Sequence, residues 1–186
     1  MAGRVCPPFI GYWLLSPLRK LVENPRKILG PFVEEGMTVL EPGPAMGFFT
    51  LPLARMVGPG GKVVVLEVQQ RMLDVLVKRA RKAGLSDRID PRLVENGGPD
   101  LSDLEGRVDF AAAIHVVHEV PDPAAFFMVV FSALKPGGKL LIIEPKGHVG
   151  PEAFEKTLET ATAAGFRPAE LPMKIQGRRS LLAKPA

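Results

Sequence analysis

The sequence predicts a doubly wound α/β fold with a mostly parallel sheet, and three observations carry that expectation. Apolar runs at 38–40, 62–66, 108–114 and 139–143 have the length and composition of strands buried on both faces. Stretches of helical periodicity separate them, so strands and helices alternate. Gly and Pro clusters at 58–61 and 135–138 punctuate the alternation.

In chain order, residues 11–21 place Tyr12, Trp13, Leu15, Leu18 and Leu21 at helix-like spacing, with Pro17 as a break. Asn24 and Pro25 read as the N-cap and first residue of a second helix reaching about residue 33. Thr38, Val39 and Leu40 suit a buried strand that Glu41 closes with an acidic group. Gly43, Ala45 and Gly47 follow at alternate positions, where the backbone can approach a ligand closely. A helix is expected over 49–57, a strand over 62–66 ending at Glu67, and a helix over 70–83 stopped by Gly84. Arg71, Lys78, Arg79, Arg81 and Lys82 read as the wet side of that helix. Residues 89–94 give a third, less regular strand, at an edge or with a ragged start because of Pro91. A strand at 108–114, a helix at 123–134, a hinge at 135–138 and a strand at 139–143 come next. A helix over 152–164, closed by Gly165, precedes two last strands at 166–175 and 180–183, joined by Gln176-Gly177.

At 186 residues the chain is most simply one domain, and 46% hydrophobic residues suffice for a sizeable core. Twenty-four Lys and Arg against twenty Asp and Glu leave +4, which does not call for a nucleic-acid partner. Cys6 is the single cysteine, so no internal disulfide forms and a Cys-rich metal site is not expected. The apolar stretch near residues 5–15 is broken by Pro7 and Pro8 and reads as a packed arm rather than a signal peptide, and no run is long enough to span a bilayer. A cytoplasmic protein is therefore expected.

The small-residue turn does not follow the dinucleotide pattern G-x-G-x-x-G, because the third position falls on Phe48. With no Tyr-x-x-x-Lys pair either, a nicotinamide oxidoreductase is disfavoured. The turn instead reads E-x-G-x-G-x-G with Ala45 at the middle glycine, and so resembles motif I of the class I S-adenosylmethionine-dependent methyltransferases. The resemblance covers nearly all of 36–145, through VLEPGPAMGFF, VVVLEVQQRML, FAAAIHVVHEVPDP and LKPGGKLLIIEP. It is nearest to the broad group that includes quinone-biosynthesis and other small-molecule enzymes. It implies a Rossmann-like seven-stranded sheet whose last strand is antiparallel. The domain would comprise a helical arm (1–35), a cofactor-binding core (36–145) and a C-terminal helix and strand hairpin (146–186).

Residue by residue, the resemblance implies that Gly43, Pro44, Ala45 and Gly47 surround the methionine end of S-adenosyl-L-methionine, with Glu41 also among the cofactor-binding residues. It implies that Glu67 accepts from the ribose hydroxyls and that Val68 and Gln69 lie against the adenine. Asn96 would bond the adenine amino edge where the family usually has Asp, with Glu95 or Gly97 as alternatives. Ala45 departs from the family's glycine, a mild change if its φ is negative and a costly one if the turn needs a positive φ.

His115 stands where the fourth strand opens into the cleft and is the candidate cofactor contact and general base. Glu144 and His148 are weaker candidates, while His118 and Glu119 either join the site or brace the following helix. The i, i+3 spacing of His115 and His118 is not that of HExxH, so no metal is expected. Methyl transfer needs mainly alignment, because the sulfonium already activates the methyl group. The expected function is direct methyl transfer to a small-molecule acceptor. A cofactor-binding protein without transfer activity is the alternative, motivated by Ala45 and the ENGGPD loop.

Arsenite would require several cysteines, a catechol-type site a metal cluster, and amino-directed nucleic-acid methylation an N/D-P-P-Y/F sequence; none is present. The usual acceptor-recognition insert after strand five is also lacking. The acceptor pocket must then come from the N-terminal arm, with Tyr12 and Trp13 as lid or packing groups, from short loops, or from another subunit of a homo-oligomer.

Overall fold

The computed structural model describes residues 23–95, 98–172 and 178–186. The expected helix at 11–21, Tyr12, Trp13, Asn96 and the Gln176-Gly177 turn lie outside the described residues. Two compact units are present, one holding the described residues up to Pro99 and the other Asp100–Ala186.

In the first unit, helix α1 (Pro25–Leu29) begins as the sequence predicts. Asn24 Oδ1 accepts from the N–H groups of Arg26 (3.1 Å) and Lys27 (3.3 Å). It ends earlier than expected, at Gly30-Pro31, since a proline has no N–H to continue the ladder. Strands β1 (Thr38–Pro42), β2 (Lys62–Glu67) and β3 (Ile89–Leu93) pair in parallel in the order β3-β2-β1. Val63, Val64, Val65 and Leu66 of β2 are all buried, which is why this strand reads as a continuous apolar run rather than an alternation. Pro91 sits in the edge strand β3, where a missing ladder donor is tolerated.

Helix α2 (Thr50–Met56) follows β1, and α3 (Gln70–Lys82) follows β2. Met72, Leu73, Leu76 and Ala80 form the buried stripe of α3, and Arg71, Lys78, Arg81 and Lys82 face solvent. Gly84 (φ 65°) closes α3: its N–H donates to Arg81 O (3.1 Å) and that of Leu85 to Ala80 O (3.0 Å), a Schellman arrangement.

In the second unit, β4 (Val108–Ile114) pairs in parallel with β5 (Leu134–Glu144), and β7 (Arg178–Ala183) pairs antiparallel with both β5 and β6 (Arg167–Ala169). Helices α4 (Pro123–Ala133) and α5 (Pro151–Ala163) precede and follow β5. Phe127, Phe131 and Phe166 pack edge to face, with centroids 6.2 Å apart for Phe127–Phe166 and 5.1 Å for Phe131–Phe166. Of the expected strand at 166–175, the structure has β6 over Arg167–Ala169, residues 170–172 lie outside it, and 173–175 are outside the described residues.

The expected hinge at 135–138 lies inside β5. Val108 is opposite Leu134 while Phe110 is opposite Lys139, so the KPGG stretch is an irregularity within the strand. It is pinned by Gly137 N–H to Lys184 O and by Lys184 N–H to Gly138 O, each 2.9 Å. Lys184 Nζ also donates to Phe131 O (2.9 Å) and Leu134 O (2.8 Å), satisfying carbonyls at the end of α4. The strand order is β3-β2-β1 in the first unit and β4-β5-β7-β6 in the second, with parallel pairing within each except where β7 enters.

Candidate functional site

The first constellation lies wholly in the first unit, at the carboxyl ends of β1 and β2. The chain leaves β1 through a turn in which Gly43 (φ 68°), Ala45 (φ 47°) and Gly47 (φ 82°) are all left-handed. Ala45 therefore occupies the costlier of its two expected conformations, which disfavours an L-residue by about 1–2 kcal/mol. Gly47 has a packing reason as well: a Cβ there would stand 2.9 Å from Leu51 Cδ1 and 3.1 Å from Leu76 Cγ.

Hydrogen bonds hold this conformation. Gly43 N–H donates to Leu66 O (2.9 Å), and Gly47 N–H to Pro44 O (2.8 Å). Ala45 N–H donates to Glu67 Oε2 (3.1 Å), while Glu67 Oε1 accepts from Gln69 N–H (2.9 Å). The buried carboxylate at the end of β2 thus braces the turn after β1. A carboxylate offers about four acceptor sites, so these two bonds orient Glu67 without by themselves saturating it.

Arg79 is a residue the sequence pattern misplaced. It falls on the basic side of α3, yet its guanidinium turns inward and donates to Met46 O in the turn. Burial lowers its pKa from the ordinary arginine value. Its position one residue before the buried Ala80 was the available signal.

Glu41 is 4% exposed, and among the described residues its Oε2 has no hydrogen-bond partner; neither has the hydroxyl of Thr50, the first residue of α2. Burial pushes the Glu41 carboxyl up to about 8, with the Glu67 charge adding to the rise. The Thr50 hydroxyl tempers the shift without meeting hydrogen-bond geometry. Pro44 is buried and Ala45 half-buried, while Val68 is 55% exposed directly beyond Glu67 and Gln69 is half-buried.

The second constellation lies wholly in the second unit, at the carboxyl ends of β4 and β5. His115 follows β4 with φ 58°, and its N–H donates to Ile143 O at 2.7 Å. A 3-10 turn over Val117–Glu119 then carries His118 to Glu144, the last residue of β5, which is 1% exposed. Glu144 Oε1 accepts the His118 backbone N–H (3.2 Å), and Oε2 lies 2.6 Å from His118 Nδ1. A carboxylate oxygen only accepts, so Nδ1 carries the proton.

The hydrogen bond to Glu144 raises the His118 pKa; burial opposes the rise, and the charges of Glu144 and Glu119 support it. The His148 ring lies 5.8 Å from that of His118. The helix after this segment is capped by Asp122, whose Oδ1 accepts from Ala125 N–H (2.9 Å), so His118 is not its cap. Among the described residues, no three His, Cys, Asp or Glu side chains gather as metal ligands would.

A family model described as "Methyltransferase domain" matches residues 33–176. The chain belongs to this methyltransferase-domain family. It is similar to the demethylmenaquinone methyltransferase of Lactobacillus johnsonii, at 30% identity over 56% of this chain and 42% of that protein. It is likewise similar to the ubiquinone/menaquinone biosynthesis C-methyltransferase UbiE of Pasteurella multocida, at 29% identity over 60% of this chain and 41% of that protein. These matches thus span about two fifths of the curated relatives' length. A crystal structure of a SAM-dependent methyltransferase from Aquifex aeolicus superposes with TM-score 0.81 at 27% identity, covering 96% of this chain and 97% of that one. The seven-stranded methyltransferase fold and the Gly43–Gly47 turn of this family member agree with the sequence expectation. Among the described residues no helix is long and apolar enough to cross a membrane.

Proposed function

We propose that this protein binds S-adenosylmethionine and transfers its methyl group to a small-molecule acceptor. The observation that carries the reading is the coupling of two strand ends: the left-handed turn after β1 is held by Glu67 at the end of β2. The residues present fit the cofactor. Glu41 Oε2 is a buried acceptor with no hydrogen-bond partner among the described residues, suited to the cofactor's ammonium group, and Glu67, braced at the end of β2, would accept from the ribose hydroxyls. Val68 offers an exposed apolar face next to Glu67, suited to adenine. Gly43, Pro44, Ala45 and Gly47 would border the methionine moiety, and His115 belongs to the acceptor-side chemistry at the end of β4.

The sulfonium, when bound, supplies the activated methyl group. The protein's own task is then to hold the cofactor by its two carboxylates and to align the acceptor. Quinone-type acceptors are the first to test, given the names of the relatives. Calorimetric titration with S-adenosylmethionine and S-adenosylhomocysteine, with NAD as control, tests the reading. Saturable binding of the sulfur cofactors alone is expected; binding of NAD alone would replace this reading with an oxidoreductase. Label transfer to an acceptor separates an enzyme from a protein that only binds the cofactor.

A further inference from the structure

His118 and Glu144 have the arrangement of a positioned base. Glu144 ends β5 and His118 lies in the turn after β4, so both stand at strand carboxyl ends, where open α/β sheets bind ligands. Glu144 uses both oxygens on the same residue, one on its backbone N–H and one on Nδ1, which fixes the ring in orientation and tautomer. The Nδ1 proton being committed to Glu144, the neutral ring presents the Nε2 lone pair, and the His118 side chain is 23% exposed. Burying a carboxylate at 1% exposure is costly unless it is paired, and the helix cap that could otherwise explain this segment is supplied by Asp122.

We propose that His118, oriented by Glu144, is the group that takes the acceptor's proton, and that the acceptor is therefore one with a dissociable proton, such as a quinol or phenol. This rests on the methyltransferase reading above. The acceptor's O–H proton passes to Nε2 as the oxygen, or a ring carbon fed by the phenolate's electron pair, forms its bond to the methyl carbon; after attack at carbon, the ring C–H proton is lost to water and the phenol O–H is restored as aromaticity returns. The carbon–sulfur bond breaks with its electron pair remaining on sulfur, giving S-adenosylhomocysteine, and the imidazolium returns the proton to water. Glu144 is the positioning residue, holding the ring and stabilising its cationic form. Among the described residues the other titratable groups facing His118 are Glu119, with Oε1 3.9 Å from Nε2, and His148.

The test compares the full chain with His118→Gln, Glu144→Gln and His115→Asn, all first titrated with S-adenosylmethionine by calorimetry. Methyl-labelled cofactor is then supplied with demethylmenaquinone pre-reduced to its quinol and with a simple phenol, across pH. Label transfer to one of these acceptors is expected, with kcat rising with pH through the His118 ionisation. His118→Gln should lower kcat by about 10²- to 10⁴-fold while cofactor affinity is kept. Glu144→Gln should move the inflection to lower pH, because the carboxylate that favours the imidazolium is gone. Full activity of His118→Gln with an unchanged profile overturns the proposal. So does loss of the inflection in His115→Asn instead, or no transfer to either acceptor by cofactor-bound wild type. If the cofactor itself does not bind, it is the methyltransferase reading that fails, and this proposal falls with it.

Discussion

Glu67 Oε2 accepts the backbone N–H of Ala45 at 3.1 Å, so one carboxylate closes the end of β2 onto the middle of the turn that follows β1. Two consequences follow from a single side chain. It stabilises a turn with three left-handed residues, and in the proposed function the same carboxylate would meet the ribose hydroxyls. Glu67→Ala should weaken S-adenosylmethionine binding about tenfold or more, since hydrogen bonds to a charged group contribute about 1.5–3 kcal/mol. The same variant should also lower the thermal midpoint of the apo protein. Unchanged affinity measured by calorimetry would remove Glu67 from the site.

Ala45 lies between two glycines in a conformation that favours glycine. Ala45→Gly removes the left-handed penalty of about 1–2 kcal/mol and adds back about 0.4–1 kcal/mol of unfolded-chain entropy. The expected net effect is a stabilisation of up to about 1.6 kcal/mol, read as a higher urea midpoint with an unchanged m-value. A lower midpoint would mean that the Ala45 methyl group makes packing contacts worth more than the strain.

Much of this arrangement is legible in the sequence, and its limits have physical reasons. Strands β1, β2 and β4 are read correctly because burial on both faces leaves a continuous apolar run. Glu41 and Glu67 stand out in the sequence because each follows such a run, and both are buried near the ends of β1 and β2. Arg79 is missed because helical periodicity assigns a face but not the direction in which a long side chain folds back, and Met46 O is 33 residues away in sequence. The 135–138 stretch reads as a hinge because Pro and Gly usually end elements; here Lys184, near the other end of the chain, supplies the bonds that keep it within β5. The pairing of His118 with Glu144 spans 26 residues and is set by the alignment of β4 with β5, which no local pattern encodes.

The Arg79 contact yields its own test. Arg79→Met keeps most of the aliphatic stem but leaves the Met46 carbonyl without the guanidinium, at a cost of about 1–3 kcal/mol if that oxygen stays dry. The expected readout is a lower urea midpoint together with weaker S-adenosylmethionine binding, because the turn loses one of its anchors. Arg81→Met, which alters an exposed side chain on the same helix, should move the midpoint by less than about 0.5 kcal/mol.

Glu41 makes both stability and binding depend on pH. Its carboxyl is raised from 4.5 to about 8 in the folded protein, so between those values the native state holds a proton that the unfolded state has released. Stability from this group is therefore fully present below about pH 4.5, declines as pH rises, and levels off above about pH 8. Glu41→Gln removes the titration, so its unfolding free energy should lack this decline, a slope difference of at most about 1.4 kcal/mol per pH unit. Binding adds a second readout. At pH 7 the apo carboxyl is mostly protonated, whereas an ammonium group placed against it favours the carboxylate. Titration of S-adenosylmethionine in buffers of different ionisation enthalpy should then report release of up to one proton per site in wild type and none from this position in Glu41→Gln. Equal proton release by the two proteins would show that Glu41 does not meet the cofactor's ammonium.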